Sequence, residues 1–370
     1  AGDGAVNWQM AQQQAISIAR EGESALTDSE QKALEDAFQI SRLWLSEVTE
    51  KTCSANSKAY SRGTWVQDAV PLFRQLSEPI ATSMGNALSE NLTALLPESM
   101  NVANNAADLI KNAGSAIFAL QLGQAIGKMS QQAITAGEIG IPLSNRPGII
   151  SQNLKNYATD LEVPISELTI CFALRELAVS ALYASSPWLR DQVTAQIREY
   201  ASDLKVDVDQ IKNLSESYDP ENPTEFTFAI EQGALISPRT PEQQIALDRI
   251  EFTLAIIEGW VECVCLEAGK RLTKVAAISE AIRRRRVSGS AAEKTFETLL
   301  GLELRPKLAR EALSMWQLVT ARLGAEKRDS LWSHPDQLPS PEELTNPENL
   351  ITRVQSGGDD FDKALRDFLG

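Results

Sequence analysis

Apolar residues recur at three- and four-residue spacing along most of this chain, which is the pattern of helices with one buried face. In the first third, the clearest run is Trp65, Val66, Val70, Phe73 and Leu76. A later stretch repeats the spacing in Ile250, Leu254, Ile257, Trp260, Val261 and Val264. Glycines, prolines and isoleucines mix between 137 and 150 and favour a loop with one short strand. We therefore predict a mainly α fold with at most a small β element near residues 139–152.

Turn-forming clusters suggest how the chain is organised. We predict an N-terminal helical region at 1–136, a second helical region at 137–345, and a C-terminal tail with a short helix at 346–370. A hydrophobic content of 43% in 370 residues is enough to bury all three regions in one compact unit. Gly123 and Gly127 lie four residues apart and are expected to let two helices pack closely.

Charge and apolar patterning disfavour two classes of partner. The chain has 35 basic and 50 acidic residues, and its net charge of −15 repels nucleic acid and anionic membranes. The most apolar stretch, 113–126, is interrupted by glycine and glutamine and is too short to span a bilayer. Four cysteines are too few for a disulfide framework, and the first residues lack a signal-peptide pattern. These features predict a cytoplasmic protein that binds neither nucleic acid nor membrane.

Residues 171–179 read C-F-A-L-R-E-L-A-V, which is the frame of the zinc-binding motif H-E-x-x-H without its histidines. In that motif, two histidines on one helix face bind zinc, and the glutamate activates a water molecule. Arg175 and Val179 stand at the histidine positions, and Glu176 stands at the glutamate position. A guanidinium stays protonated and valine has no donor atom, so neither binds zinc. His334 is the one histidine in the chain and is interpreted as a turn residue. We therefore expect no bound metal.

Separated runs across the chain carry a resemblance to a known family. The longest are A-L-R-E-L-A-V-S-A-L-Y-A-S-S-P-W-L-R at 173–190, I-E-G-W-V-E at 257–262, R-R-R-R at 283–286, L-L-G-L-E-L-R-P at 299–306 and G-A-E-K-R-D-S-L-W-S-H-P-D-Q-L-P at 324–339. With shorter runs at 6–8, 61–66, 137–143 and 359–365, they resemble the actinobacterial DUF2342 family. That family is described as zincin-like zinc-dependent metalloproteases or hydrolases and is associated by name with coenzyme F420 biosynthesis.

The resemblance implies a mainly helical zincin-like domain that uses zinc. It implies that Glu176 occupies the general-base position and that Glu258 occupies the third-ligand position. The chain departs from the family at Arg175 and Val179, and this departure puts catalysis in doubt rather than the fold.

The charged residues of this region suggest what replaces the metal. We predict that Arg175, or a neighbouring arginine, pairs with Glu176 and Glu258, because unpaired buried carboxylates cost several kcal/mol. Glu258 and Glu262 share one helix face. Their spacing is equally typical of a remnant site and of an ordinary exposed acidic face.

The cysteines and the run of four arginines each allow a second interpretation. Cys171, Glu258 and Cys265, with Cys263 close by, form an alternative metal set, although buried cysteines are more often core residues. The four arginines at 283–286 point around a helix, so no single anion meets them all. We interpret them as favouring a helix C-terminus and pairing with local acids, with a phosphate or acidic-peptide site as the alternative.

The functional prediction is a zincin-like metalloprotease homologue that has lost catalytic zinc. Such a protein would act through binding, with a peptide or protein partner in the former cleft. The alternative is an active metal-dependent hydrolase or peptidase with an unorthodox site around Glu176 and Glu258. The sequence does not specify the oligomeric state.

Overall fold

A computed structural model describes residues 6–95, 103–144, 146–202, 239–289 and 300–356, together with residues 294 and 297. The helices in this part of the chain are α1 (Trp8–Ala19), α2 (Asp28–Ser46), α3 (Arg62–Leu95), α4 (Ala103–Ser130), α5 (Ser151–Leu161), α6 (Ile165–Ser185), α7 (Trp188–Ser202), α8 (Pro241–Ala268), α9 (Val275–Ser288), α10 (Ala309–Ser330) and α11 (Pro341–Thr345). A 3-10 turn covers Pro335–Gln337, and residues 347–356 are also helical.

The predicted mainly α fold is confirmed. Within the described ranges, its strands form one parallel pair, in which β1 (Lys58–Tyr60) lies beside β2 (Gly148–Ile150), and Thr135 adds an isolated antiparallel bridge to Ile149. The register places Lys58 opposite Gly148 and Tyr60 opposite Ile150. β2 falls inside the predicted β region, whereas β1 was not predicted. Three residues are too few to show the alternation of polar and apolar positions that identifies a strand.

Helices α6 and α8 form the centre of the molecule. Each is apolar on nearly its whole circumference, and such a helix is buried on all sides. α6 packs against α2, α8, α9 and β2, and α8 packs against α7 and α10. Nearly all of the described buried apolar residues from Val6 to Ile351 belong to one hydrophobic cluster. A carboxylate on α6 or α8 therefore lies in the interior, where charge is costly.

The predicted close approach of two helices at Gly123 and Gly127 is confirmed. Gly123 lies on α4 against α1, where an added Cβ would stand 2.4 Å from the carbonyl oxygen of Ala11. An added Cβ on Gly127 would stand 2.8 Å from Cβ of Ile18. Any side chain larger than that of glycine at either position would therefore push the two helices apart.

α8 is fixed from its far side by α10. The indole Nε1 of Trp316 donates to the carbonyl oxygen of Ile256 at 2.8 Å, and Nε1 of Trp260 donates to Asp329 Oδ1 at 3.0 Å. The rings of Trp316 and Trp332 stack with centroids 5.6 Å apart. These contacts hold the middle of α8, and with it Glu258 and Glu262, in one position.

Two other expectations concern the ends of the chain and the membrane. The predicted tail with its short helix at 346–370 is described only in part: residues 347–356 are helical, and residues 357–370 lie outside the described residues. Among the helices that the structure describes, none is long and apolar enough to cross a membrane.

Candidate functional site

The two central helices bring Arg175 and Glu258 into direct contact. Arg175 Nη2 on α6 lies 2.5 Å from Glu258 Oε1 on α8, and the side chains are 12% and 2% exposed. A second arginine, Arg286 on α9, places its Nε 3.8 Å from the other oxygen of Glu258. A cation therefore stands at the first histidine position of the motif frame, paired with the residue at the expected third-ligand position.

The environment of Arg175 keeps its side chain charged. Burial disfavours the guanidinium, but the negative charge of Glu258 outweighs this, with smaller contributions from Cys265 and Glu262, so the pKa of Arg175 is raised. A permanently protonated guanidinium has no lone pair to offer a metal. Val179, one turn further along α6, lines the same region with an apolar side chain.

Glu176 takes different partners. Its Oε2 accepts a hydrogen bond from the amide of Gly137 at 3.0 Å, and its Oε1 accepts one from the amide of Gly148 at 3.2 Å. The prediction that Glu176 pairs with the same arginine as Glu258 is therefore wrong. Neighbouring residues on a helix point about 100° apart, so Arg175 faces α8 while Glu176 faces β2 and the loop before it.

The pKa of Glu176 reflects this position. Burial raises it from 4.5 to about 7, although hydrogen bonds from Gly148, Gly137 and Thr135 oppose the change. The nearby charge of Glu138 raises it slightly further. A carboxyl group with a pKa near neutrality beside a cavity is a common property of functional sites and also of buried structural acids.

Glu258 and Glu262 are both interior residues, with exposures of 2% and 1%. The reading of this pair as an exposed acidic face is therefore wrong, because α8 has no exposed side here. Glu262 makes its own ion pair, in which Arg283 of α9 donates from Nη1 to Oε1. Burial raises the pKa of Glu262, and the charges of Arg175 and Arg283 oppose the rise.

The four arginines at 283–286 pair with acids on several elements, and the interpretation that they pair with local acids is confirmed for Arg283 and Arg284. Arg283 and Arg284 both contact Glu280, one turn earlier on α9. Arg285 Nη2 lies 2.8 Å from Glu138 Oε1, and Arg286 approaches Glu258. Consecutive helix positions point in different directions, so one basic run serves partners on three sides.

Glu138 is the site residue that the sequence reading missed. Its Oε2 accepts hydrogen bonds from the amides of Ile134 at 2.9 Å and Thr135 at 3.2 Å. Burial opposes its charge, but Arg285 and the amide of Ile134 outweigh this, and the pKa of Glu138 is lowered. The available signal was its place in the family-like run G-E-I-G-I-P-L at 137–143.

A small cavity of about 20 Å³ lies beside Glu176, between α6, α9 and the loop at 135–138. It has room for about one water molecule. Its lining residues are Thr135, Gly137, Glu138, Phe172, Arg175, Glu176, Val179, Ile282, Arg285 and Arg286. The space beside Glu176 is therefore mostly filled by side chains.

Cys171, Cys263 and Cys265 are buried free thiols, and Cys53 is a half-buried one. Burial raises the pKa of Cys171 to about 12, and it also raises the pKa of Cys265 despite the opposing charge of Arg175. Cys263 lies 3.8 Å from the hydroxyl of Thr320. His334 caps the 3-10 turn, where its Nδ1 accepts from the amide of Asp336 at 3.2 Å. This is the turn role expected for it.

Residues 6–351 match the family described as zincin-like metallopeptidase, and the chain belongs to this family. A crystal structure from Chloroflexus aurantiacus, described as that of a suspected hydrolase with a novel fold, has a similar fold. The two share 17% identity with a TM-score of 0.65, over 95% of this chain and 99% of the other. At that identity, the likeness concerns the fold alone. Among curated proteins, none matches the sequence significantly.

The family description implies a metal, and the residues at the motif do not fit one. A zinc site needs three protein ligands, and the first position holds a guanidinium already bonded to Glu258. Within the described ranges, no group of three histidine, cysteine, aspartate or glutamate side chains is arranged to hold a metal ion. The alternative set of Cys171, Glu258 and Cys265 is not such a group.

We expect the stability of the protein to report the titration of Glu176. Its folded-state pKa of about 7 lies above the unfolded value near 4.5, so the folded state holds the proton more tightly. The resulting stabilisation is complete below pH about 4.5 and is lost as the pH rises through about 7, amounting to about 3 kcal/mol. Urea unfolding from about pH 5 to about pH 8 should show a decline that is larger in the wild type than in Glu176→Gln by about this amount, since the raised pKa of Glu262 contributes equally to both.

The matched control is Asp36→Asn, whose side chain is 53% exposed and pairs with Lys32, and which should leave the pH profile in this range unchanged. Parallel profiles for Glu176→Gln and the wild type would contradict the assignment.

Proposed function

We propose that this chain is a member of the zincin-like metallopeptidase family that works without catalytic zinc and acts through binding. The observation that carries the proposal is the 2.5 Å contact between Arg175 Nη2 and Glu258 Oε1. An arginine at this position supplies the positive charge that a metal would supply to Glu258. It also occupies the space that the metal would need, and its hydrogen bond uses a lone pair of the Glu258 carboxylate.

The binding role follows from what the site retains. A family fold without a metal keeps its surface and its buried charges but has no ion to activate water. We propose a peptide or protein as the partner, contacting the rim of the former cleft, since the cavity inside admits about one water molecule. Within the family, we propose that the chain is of the DUF2342 type.

The first test is the metal content of the purified protein, measured by elemental analysis. We expect far less than one zinc per chain. The variant Arg175→His/Val179→His restores the two missing ligands and should take up about one zinc per chain with Glu258 as the third ligand. Adding Glu258→Ala to that variant should abolish the uptake.

A matched control places two histidines with the same spacing on an exposed face. Gln244 and Asp248 lie four apart near the start of α8 and hydrogen bond to each other at the surface. Gln244→His/Asp248→His lacks a third ligand and should bind zinc far more weakly than the restored site. Wild-type protein that carries one zinc per chain, and loses it on Glu258→Ala, would refute the proposal.

The second test concerns turnover, because the rival function is a hydrolase that uses Glu176 and Glu258. The raised pKa of Glu176 is the observation that favours this rival. We expect no hydrolysis of quenched fluorescent peptides or of casein by the wild type. Activity that copurifies with the protein and disappears in Glu176→Gln would establish the hydrolase instead.

A further inference from the structure

One face of α3 forms the floor of an open groove of about 540 Å³ beside α7. The residues of α3 that line it recur at three- and four-residue spacing and are Pro71, Arg74, Gln75, Glu78, Pro79 and Thr82. The helical rise from residue 71 to residue 82 is about 17 Å. This is the length of about five residues of an extended chain. The groove therefore has the dimensions of a site for a short peptide segment.

Two arginines in the groove have little of their charge neutralised. Arg198 reaches it from α7, and no acid among the described residues pairs with Arg198. Arg74, which is 61% exposed, has its Nε 3.9 Å from Glu78 Oε2, too far for a hydrogen bond. That oxygen of Glu78 instead accepts a hydrogen bond from Trp8 Nε1 at 2.5 Å. The groove thus holds two positive charges against one negative charge that is already engaged.

The two prolines of α3 alter what its backbone offers to the groove. Proline has no amide hydrogen, so the carbonyl of Gln75 lacks the donor that residue 79 would supply in an unbroken helix. An amide of a peptide lying along α3 would supply that donor. The side chain of Gln75 holds the groove to α7, because its Nε2 donates to Thr194 Oγ1 at 3.3 Å. The groove combines an apolar proline surface, a backbone acceptor and two cations.

We propose that this groove binds an extended peptide segment of a partner protein that carries two carboxylates, one for Arg74 and one for Arg198. A guanidinium recognises a carboxylate through paired N–H donors. Neither arginine makes a hydrogen bond within the part of the chain that the structure describes, so these donors are available. The length of the groove and its proline surface favour a peptide over a free anion.

The overall charge of the protein does not prevent this binding. A net charge of −15 repels an acidic peptide at a distance. At physiological ionic strength the screening length is about 8 Å, so the charges that touch the peptide decide its affinity. The same net charge disfavours nucleic acid, whose many phosphates exceed what two arginines neutralise.

The groove is a second surface, separate from the degenerate motif. It shares no lining residue with the cavity beside Glu176. The inference therefore goes beyond the proposed function and does not depend on the absence of zinc.

Fluorescence anisotropy with labelled hexapeptides tests the proposal. The set carries two glutamates at every possible spacing among alanine and proline, and a matched set carries glutamine in their place. We expect saturable binding of at least one glutamate peptide, and an affinity at least about fivefold weaker for its glutamine counterpart. Arg74→Gln and Arg198→Gln should each weaken binding by about fivefold or more. Circular dichroism checks that each variant is folded.

The matched control is Arg322→Gln, which removes the same charge from a side chain on α10 that is 55% exposed and outside the groove. It should leave the affinity unchanged. Charge reversal adds a rescue: Arg198→Glu should prefer a peptide in which one glutamate is replaced by lysine. Hydrogen–deuterium exchange locates the site, because bound peptide should slow exchange along α3 and α7 and not in the loop at 135–138.

The absence of binding by every glutamate peptide would overturn the site, as would equal binding of the glutamate and glutamine sets. Equal losses in Arg198→Gln and Arg322→Gln would also overturn it. Displacement of the peptide by inorganic phosphate or single-stranded RNA at the same concentration would identify a general anion site instead. Zinc content is a separate readout: a zinc-loaded protein would overturn the proposed function and leave peptide binding in the groove unchanged.

Discussion

Replacing Arg175 with methionine is expected to lower the free energy of unfolding by about 3 to 5 kcal/mol, because it leaves the carboxylate of Glu258 buried beside a neutral side chain. Glu258 is 2% exposed, so solvent cannot take over the role of the guanidinium. Arg286, at 3.8 Å, is too distant to replace the direct hydrogen bond from Arg175. Urea or guanidinium unfolding followed by circular dichroism measures the loss.

The double variant Arg175→Met/Glu258→Gln distinguishes an ion pair from simple packing. If the cost of Arg175→Met comes from the orphaned charge, the neutral glutamine should recover about half of it or more. The control is Arg249→Met, which removes an exposed partner of Glu199 with side-chain exposures of 55% and 51%. It should cost less than about 1 kcal/mol. Equal losses for Arg175→Met and the double variant would show that the carboxylate is not the cause.

This pair bears on function because its two members are the expected ligand positions. If residues 175–179 are the frame of the H-E-x-x-H motif, as we propose, a metal would lie where Arg175 meets Glu258, and the arginine has the same sign of charge as that metal. Either a metal ion or Arg175 can neutralise the buried carboxylate of Glu258, so the fold does not require zinc. Catalysis by a zincin does require it, because the ion lowers the pKa of the attacking water. Under the proposed function, an arginine at position 175 would therefore preserve stability and remove the chemistry.

The helices could be predicted because their apolar spacing extends over many turns. The contact between Arg175 and Glu258 could also be predicted, because the motif frame and the family-like run at 257–262 pointed to one site. The hydrogen-bond partners of Glu176 could not be predicted, because they depend on how α6 is rotated relative to the loop before β2. Backbone amides of Gly137 and Gly148 leave no signature that identifies them as hydrogen-bond donors to a distant carboxylate.

The spacing of Glu258 and Glu262 in the sequence could not predict that both are buried. Acidic residues four apart look the same on an exposed helix and on a buried one, and only the apolar residues all around α8 distinguish the two. The arginines at 283–286 show the opposite case. Their pairing with acids could be predicted, but most of the partners could not. The partners lie on three different elements, and helix spacing does not identify Glu138 or Glu262.

Asp329→Ala is expected to be as destabilising as any change at the site, although it lies on the far side of α8. Its Oδ1 accepts from Trp260 Nε1 at 3.0 Å and from Arg328 Nε at 2.7 Å, and its Oδ2 accepts from Thr49 Oγ1 at 2.5 Å. Arg328 is 1% exposed and has Asp329 as its ion-pair partner. Removing the carboxylate leaves a buried guanidinium and two buried donors unsatisfied, at a cost of about 4 kcal/mol or more.

The variant Asp329→Asn separates charge from hydrogen bonding. Asparagine keeps the shape and one acceptor oxygen, so it should cost less than alanine, while Arg328 still loses its countercharge. The control is Asp36→Ala, which removes an exposed i,i+4 partner of Lys32 and should cost less than about 1 kcal/mol. Chemical unfolding gives the free energies, and near-ultraviolet circular dichroism follows the stacked rings of Trp316 and Trp332.

Trp260 lies midway between Glu258 and Glu262, so the Asp329 network positions the carboxylates that Arg175 and Arg283 neutralise. If α8 shifts when Asp329 is lost, the effects of Asp329→Asn and Arg175→Met should not be additive. The double variant should then cost less than the sum of the two single changes, because a displaced Glu258 no longer depends on Arg175. Strict additivity would mean that the two networks on opposite sides of α8 act independently.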